Sequence, residues 1–315
     1  MSHFRFTEAE LEEIALEWLE EVGYSAVSID KLFPEQELSS RSSYSDVILV
    51  DHLRNALVNL NPSLSIEVVD DAIRQISTLS HPDLMTMNRS FHKFITDGID
   101  VETREGTRNT TRKVWLFDFD KPENNEFLAV NQFVIREGET EKRPDVILFV
   151  NGLPLVVLEL KNATNENVGT SDAFNQLQTY KSSISNLFKF NEMMIISDGF
   201  NAKAGTISSN EERFMVWRTV DGKNETNTAN TKLEVMIKGM LKPKVLLDLI
   251  RHFILFKDDG KQTIKILAAY HQYHAVNRAV EETVRASATD GDQKIGVVWH
   301  TQGSGKSLSM VFYSG

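Results

Sequence analysis

The sequence predicts an α/β fold in two parts: a mixed-sheet domain over residues 1–258, then the opening segment of a second domain over residues 259–315. Three observations predict it. Residues 143–161 read as a β-hairpin buried on at least one face, because the apolar runs Val146 to Val150 and Leu155 to Leu158 flank an Asn-Gly-Leu-Pro break. Several helical patterns lead into a run of strands that ends at this hairpin. Close to residue 315, a strand pattern meets a glycine-rich loop and an apolar helix.

Taken in order, residues 7–22 place Leu11, Ile14, Ala15, Trp18, Leu19 and Val22 at helical spacing, with Thr7 as N-cap and Gly23 just past the end. The outer face is acidic. Most of its glutamates read as solvated surface, while one of Glu8, Glu12 and Glu13 can face the charged end of the hairpin. Helical patterns follow at 44–60 and 66–79, separated by Asn61-Pro62-Ser63, and a shorter one at 88–96. Strand patterns occupy 100–105, 112–119 and 126–136. After the hairpin come a helix at 172–185, strands at 193–197 and 214–219, a polar loop at 221–231 and a helix at 244–256. The stretch 257–262 reads as the domain boundary, followed by a helix at 270–286 and a strand at 295–299.

The hairpin is ordinary; its charges are not. Asp145 opens the first strand, and Glu159 and Lys161 leave the second, two apart and therefore on one face. Hairpin pairing can bring Asp145 beside them. Hydrolysing a phosphodiester needs a water aimed in line with the leaving oxygen and positive charge to stabilise the pentavalent phosphorus. Carboxylates that hold Mg²⁺ serve both needs, and a nearby lysine orients the water or helps deprotonate it. Asp145 and Glu159 are thus the expected metal ligands and Lys161 the catalytic cation, with the Leu160 carbonyl as a further oxygen ligand. The same spacing also occurs in strands that merely end in a charge pair. Gln176 and Tyr180, four apart on the next helix, share a face, although alone they read as semi-exposed helix residues.

The second constellation is Gly303-Ser304-Gly305-Lys306-Ser307 between strand and helix. In a P-loop the backbone N–H groups surround the nucleotide phosphates, the lysine reaches the β- and γ-phosphates, and the hydroxyl binds Mg²⁺. Lys306 and Ser307 take those positions, with ATP as the expected cofactor. His300 stands where the common pattern has its first glycine. Gln272 offers an amide able to read adenine, or is simply a helix-surface glutamine. The second acidic motif that a nucleotide-driven motor needs would lie beyond Gly315, so the chain reads either as part of a longer motor protein or as one that binds no nucleotide productively.

Composition narrows the classes. At 315 residues, 41% hydrophobic and 25% charged, the chain has the make-up of a globular protein with a sizeable core. With no cysteine, any metal must be held by oxygen or nitrogen ligands. A net charge of −11 argues against a polyphosphate-binding surface over the whole molecule, but not against a local groove or partner-supplied DNA affinity. No run of about 18 apolar residues and no signal-type core is present, so the expectation is a cytoplasmic protein with no membrane partner.

Together these residues resemble the N-terminal part of the R subunit (HsdR) of Type I restriction-modification enzymes. The similarity runs through Glu-Val-Gly-Tyr at the end of the first helix, Leu-Asn-Pro near 62, Phe-Asp-Phe-Asp-Lys-Pro-Glu-Asn-Asn-Glu-Phe and Val-Asn-Gln-Phe. It continues through the hairpin, Gln176-x-x-x-Tyr180, Ser-Asp-Gly at 197–199 and Trp-His-Thr-Gln-Gly-Ser-Gly-Lys-Ser; the histidine at 300 is typical there. The resemblance implies a restriction-endonuclease-like PD-(D/E)xK domain followed by a RecA-like helicase domain. It implies Mg²⁺- and ATP-dependent, sequence-nonspecific cleavage of double-stranded DNA after translocation, in a complex with methyltransferase and specificity subunits. It further implies that Gln176 and Tyr180 form a Q-x3-Y motif at the nuclease site and that Gln272 contacts adenine. Two rival readings stay open: a P-loop ATP-binding module whose N-terminal domain docks partners, and a stand-alone repair nuclease.

Overall fold

A computed structural model describes residues 7–36, 39–105, 108–161, 169–222, 231–299, 303 and 305–315. The N-terminal helix α1 (Glu8–Glu21) is closed by a capping box, in which the Thr7 hydroxyl accepts from the Glu10 N–H and the Glu10 carboxylate accepts from the Thr7 N–H. A short strand β1 (Ser25–Ala26) precedes helices α2 (Val50–Leu60), α3 (Ile66–Ser77) and α4 (Leu84–Asp97). Strands β2 (Ile99–Glu105) and β3 (Arg108–Val114) form a separate antiparallel ribbon. Next come β4 (Phe127–Asn131), the ribbon β5 (Ile135–Glu137) with β6 (Thr140–Lys142), and the hairpin β7 (Val146–Val150) with β8 (Leu153–Leu160). Helices α5 (Thr170–Ser183) and α6 (Ser185–Phe188), strands β9 (Met193–Ser197) and β10 (Ala202–Gly205), and helices α7 (Lys232–Gly239) and α8 (Pro243–His252) follow. The chain closes with the hairpin β11 (Ile254–Asp258) and β12 (Thr263–Leu267), then α9 (Tyr270–Ser287) and α10 (Lys306–Ser314).

Six strands form a mixed sheet in the order β1-β4-β7-β8-β9-β10. The β1–β4 and β8–β9 pairs are parallel and the rest antiparallel. The predicted hairpin therefore occupies the middle of the sheet, and every residue of β7 and β8 is buried. That explains its unbroken apolar runs, since a strand covered on both faces has no polar side to alternate with. The turn is tighter than the four-residue break suggests. Asn151 (φ 50°) and Gly152 (φ 78°) make it alone, the pair of left-handed residues that a two-residue hairpin loop demands. Any side chain at Gly152 would meet the Leu49 carbonyl at 2.4 Å. A bulge between Leu148 and Phe149 lets Pro154 sit inside β8 without breaking the ladder.

The structure differs from the sequence expectation at several ends. Residues 44–49 are not helical, because the Leu49 N–H is spent on the Gly152 carbonyl and Asp46 caps the Ser42 and Ser43 amides. The strand expected over 112–119 stops at Val114, where the Trp115 N–H turns to the Asn61 side chain. Over 214–219 only Met215 pairs, with Ala204, so Trp217 packs as a buried anchor rather than a strand residue. The helix expected to run to 256 ends at His252, and Ile254 to Phe256 join β11. No strand forms at 295–299: no described segment pairs with it, and Val297 and Trp299 are 91% and 86% exposed. The polar loop expected at 221–231 lies outside the described residues except for 221, 222 and 231.

The β11–β12 hairpin is fastened to the sheet by a buried polar knot. The Lys265 ammonium pairs with the Glu192 carboxylate at 2.6 Å and donates to the Asn88 side chain and the Asn191 carbonyl. His92 contacts the same carboxylate at 2.9 Å, and the Thr206 hydroxyl donates to the Lys265 carbonyl. Among the described residues no helix is long and apolar enough to cross a membrane.

Candidate active site

The β7–β8 register pairs Val146 with Leu158, which carries Asp145 and Glu159 to the same end of the hairpin. One Asp145 carboxylate oxygen accepts the Leu160 N–H at 2.7 Å, so the acid at the mouth of β7 is tied directly to β8. Glu159 is 1% exposed, and the Lys161 ammonium donates to its Oε1 at 2.7 Å. The Lys161 ammonium lies 3.4 Å from the Leu160 carbonyl, and the Lys161 N–H donates to the Ser197 carbonyl of β9. All three predicted residues thus converge.

Helix α1 adds two more acids. Glu12 is buried and Glu8, one turn earlier on the same face, approaches the Lys161 ammonium at 4.0 Å, whereas Glu13 is exposed. Two amides from the end of β4 hold Glu12: Gln132 Nε2 donates to Oε1 at 2.8 Å, and Asn131 Nδ2 lies 3.4 Å from Oε2. Sequence reasoning left the choice among Glu8, Glu12 and Glu13 open and gave neither amide a role, although Val130-Asn131-Gln132-Phe133 is one of the segments that carry the family resemblance. The signal available was two consecutive polar residues closing an apolar strand pattern.

Crowding acids away from water raises their proton affinity. Burial, and secondarily the Asp145 charge, pushes Glu159 up to about 8, outweighing Lys161. Burial and Asp145 likewise push Glu12 up to about 7. Burial also raises Asp145, against the Leu160 N–H and Lys161. For Lys161 burial works downward, but Glu159, Asp145 and Glu8 win, so its ammonium is held charged. The buried Glu159 Oε2 has no hydrogen-bond partner. Such a site favours either a proton or a cation. Its donors are all hard oxygens, which suits Mg²⁺, an ion that keeps several waters and needs only one or two carboxylates. Among the described residues no three His, Asp or Glu side chains form a ready metal cage. Asp145, Glu159 and the Leu160 carbonyl are the donors that fit.

Helix α5 supports this end of the sheet. The buried Tyr180 hydroxyl donates to the Arg143 carbonyl at 3.3 Å and lies within electrostatic reach of Glu159 and of Gln176. Burial and the Glu159 charge raise the Tyr180 pKa, so the phenol stays protonated. Gln176 is half-buried beside it.

The glycine loop lies elsewhere on the chain. Gly303 and Gly305 are left-handed, at φ 83° and 80°, and Gly305 caps α10, whose first turn presents Lys306 and Ser307 to solvent. Ser304 and residues 300–302 lie outside the described residues. Gln272 does reach this loop: its Nε2 donates to the Gly305 carbonyl at 3.0 Å, and its Oε1 accepts from the Ala269 N–H at 2.9 Å.

A family model described as the Type I restriction enzyme R protein N terminus matches residues 5–213, and a SWI2/SNF2 ATPase model matches residues 271–315. The chain is 42% identical over 312 residues to the Type I restriction enzyme HindI endonuclease subunit of Haemophilus influenzae, covering 98% of this chain and 30% of that protein. A relative from Methanocaldococcus jannaschii is 32% identical over 326 residues, covering 96% of this chain and 30% of its own length. The Type I restriction enzyme SauCOLORF180P endonuclease subunit of Staphylococcus aureus is 30% identical over 186 residues, covering 59% of this chain and 18% of its own. The chain belongs to the Type I restriction enzyme R-protein family, as its N-terminal portion with the start of an SNF2-type ATPase region. It spans about 30% of the length of the first two of these relatives.

Proposed function

We propose that this chain carries the DNA-cutting centre of a Type I restriction enzyme and the entry to its ATP-driven motor. In this reading residues 1–258 are a restriction-endonuclease-like PD-(D/E)xK domain and residues 259–315 begin a RecA-like domain. The substrate is double-stranded DNA, cut without sequence preference after translocation, in an assembly with methyltransferase and specificity subunits. The observation that carries this is the convergence of Asp145, Glu159 and Lys161, with one buried Glu159 oxygen unpartnered.

Asp145 and Glu159 would hold Mg²⁺, which when bound supplies Lewis acidity and an acidified water. The Lys161 ammonium neutralises charge that develops on the scissile phosphate and orients the water. Tyr180 fixes the Arg143 carbonyl two residues before Asp145, and Gln176 offers its amide beside it; both serve the nuclease site. Gly303, Ser304, Gly305 and Lys306 bind the phosphates of ATP, Ser307 its Mg²⁺, and Gln272 its base. For Gln272 this requires the amide to exchange its present partners for adenine. The test is cleavage by the full-length protein, assembled with its partners, carrying Glu159→Ala or Lys161→Ala. Loss of nicking and double-strand cutting with ATP hydrolysis retained is the expected result; cleavage at the wild-type rate would remove the nuclease reading.

A further inference from the structure

Gln132 stands at φ +53°, in the left-handed region that a non-glycine residue with a long side chain seldom adopts. Such strain persists only where the surroundings over-determine it, and it gathers at functional sites. The surroundings here are explicit. On one side Asn131 pairs with Val146 at the end of β4. On the other, Phe133 is fully buried beneath the Arg41 guanidinium, 4.0 Å from its ring centroid, and Arg41 donates to the Val134 carbonyl at 2.9 Å.

Between these anchors the turn of the backbone holds the main chain of Asp145 and aims two side-chain amides at the acids. The Gln132 N–H donates to the Asp145 carbonyl at 3.0 Å. Its Nε2 donates to Glu12 Oε1 at 2.8 Å and reaches Asp145 Oδ1 at 3.5 Å, bridging two carboxylates that repel each other. The Asn131 amide approaches the other Glu12 oxygen at 3.4 Å.

We propose that Gln132, with Asn131, is a positioning residue for the nuclease centre: its strained backbone and amide lock Glu12 beside Asp145 and thereby fix the Asp145 carboxylate that faces the cation. This rests on the nuclease reading above. An amide is the right group because it donates to both acids without cancelling their charge. A lysine would neutralise the site and a hydroxyl would be too short to span it. Partners of this kind, behind the donor atoms, typically control about 10–100-fold in metal affinity.

Two substitutions in the full-length protein, assembled with its partners, test it. Gln132→Gly suits the left-handed backbone and removes the amide; Gln132→Glu keeps the size and replaces the donor with an acceptor. Two quantities are read: the Mg²⁺ midpoint for plasmid cleavage, and Mn²⁺ binding by calorimetry without nucleotide, counting only the component that Glu159→Ala abolishes. Both variants should move both quantities to about tenfold higher concentration, with ATP hydrolysis within about twofold of wild type and no drop in melting temperature for Gln132→Gly. If Gln132→Glu folds poorly, Gln132→Gly alone decides. Metal dependence within about twofold of wild type in Gln132→Gly, by both readouts, would overturn the proposal. If Glu159→Ala itself cut DNA normally, the nuclease reading would fall; a dead Glu159→Ala beside wild-type metal dependence in Gln132→Gly would sink this inference only.

Discussion

The carboxylate of Asp145 accepts the backbone N–H of Leu160 at 2.7 Å, so one of its oxygens closes the hairpin while the other is left for the site. The two duties can be separated. Asn at 145 keeps an oxygen for that N–H and loses the charge, whereas Ala leaves a buried N–H without a partner, which costs about 1–3 kcal/mol. Asp145→Asn should therefore unfold within about 1 kcal/mol of wild type while DNA cleavage is lost, and Asp145→Ala should lose both activity and about 1–3 kcal/mol in urea denaturation.

Glu159 sets a pH dependence. Its folded-state pKa of about 8 lies above the ordinary glutamate value of 4.5, so between those values the folded state binds more protons than the unfolded one. Stability must then fall as pH rises through that window. Melting temperatures taken in a chelator should decline from pH 5 to pH 8 in the wild type and decline less in Glu159→Gln. Mg²⁺ added at pH 8 should recover the wild type, because a ligand of the folded state stabilises it, and should leave Glu159→Gln nearly unmoved.

Lys265 and Glu192 are both fully buried, and removing Lys265 leaves the Glu192 charge with only the His92 ring beside it. Lys265→Ala should cost about 3–5 kcal/mol by chemical denaturation. Adding Glu192→Leu to Lys265→Met should cost less than the sum of the two single changes, since the pair rather than either residue is what the core accommodates.

Lys306 is exposed in the first turn of α10, so its loss leaves no hole. Lys306→Ala in the full-length protein should abolish ATP hydrolysis while changing the melting temperature by less than about 2 °C, and DNA cleavage that depends on translocation should cease with it.

Most of the site was legible because its residues lie close together in sequence. Asp145, Glu159 and Lys161 belong to one hairpin, and strand periodicity together with Asn-Gly sufficed to place them at one end. Glu12 was visible only as one of three acids on a helix, since which face of α1 meets β4 and β8 depends on packing between segments more than a hundred residues apart. The left-handed turn at Gln132 has no signal in residue type. Strand ends failed for a related reason: 115–119 and 214–219 have apolar patterns, yet a strand also needs a neighbouring backbone, and there the chain gives its hydrogen bonds to side chains or to a single bridge. Lys265 and Glu192 fall in none of the segments read from the sequence, so the buried pair they form was missed.

That pair has a mechanical consequence. Only Ala268 and Ala269 separate β12 from α9, and both are committed: the Ala268 N–H to the Phe253 carbonyl and the Ala269 N–H to Gln272. Gln272 in turn holds Gly305. The glycine loop is thereby joined through Gln272 and α9 to a strand that the Lys265–Glu192 pair fastens beside the sheet carrying the acids, an attachment closer to a bracket than to a tether.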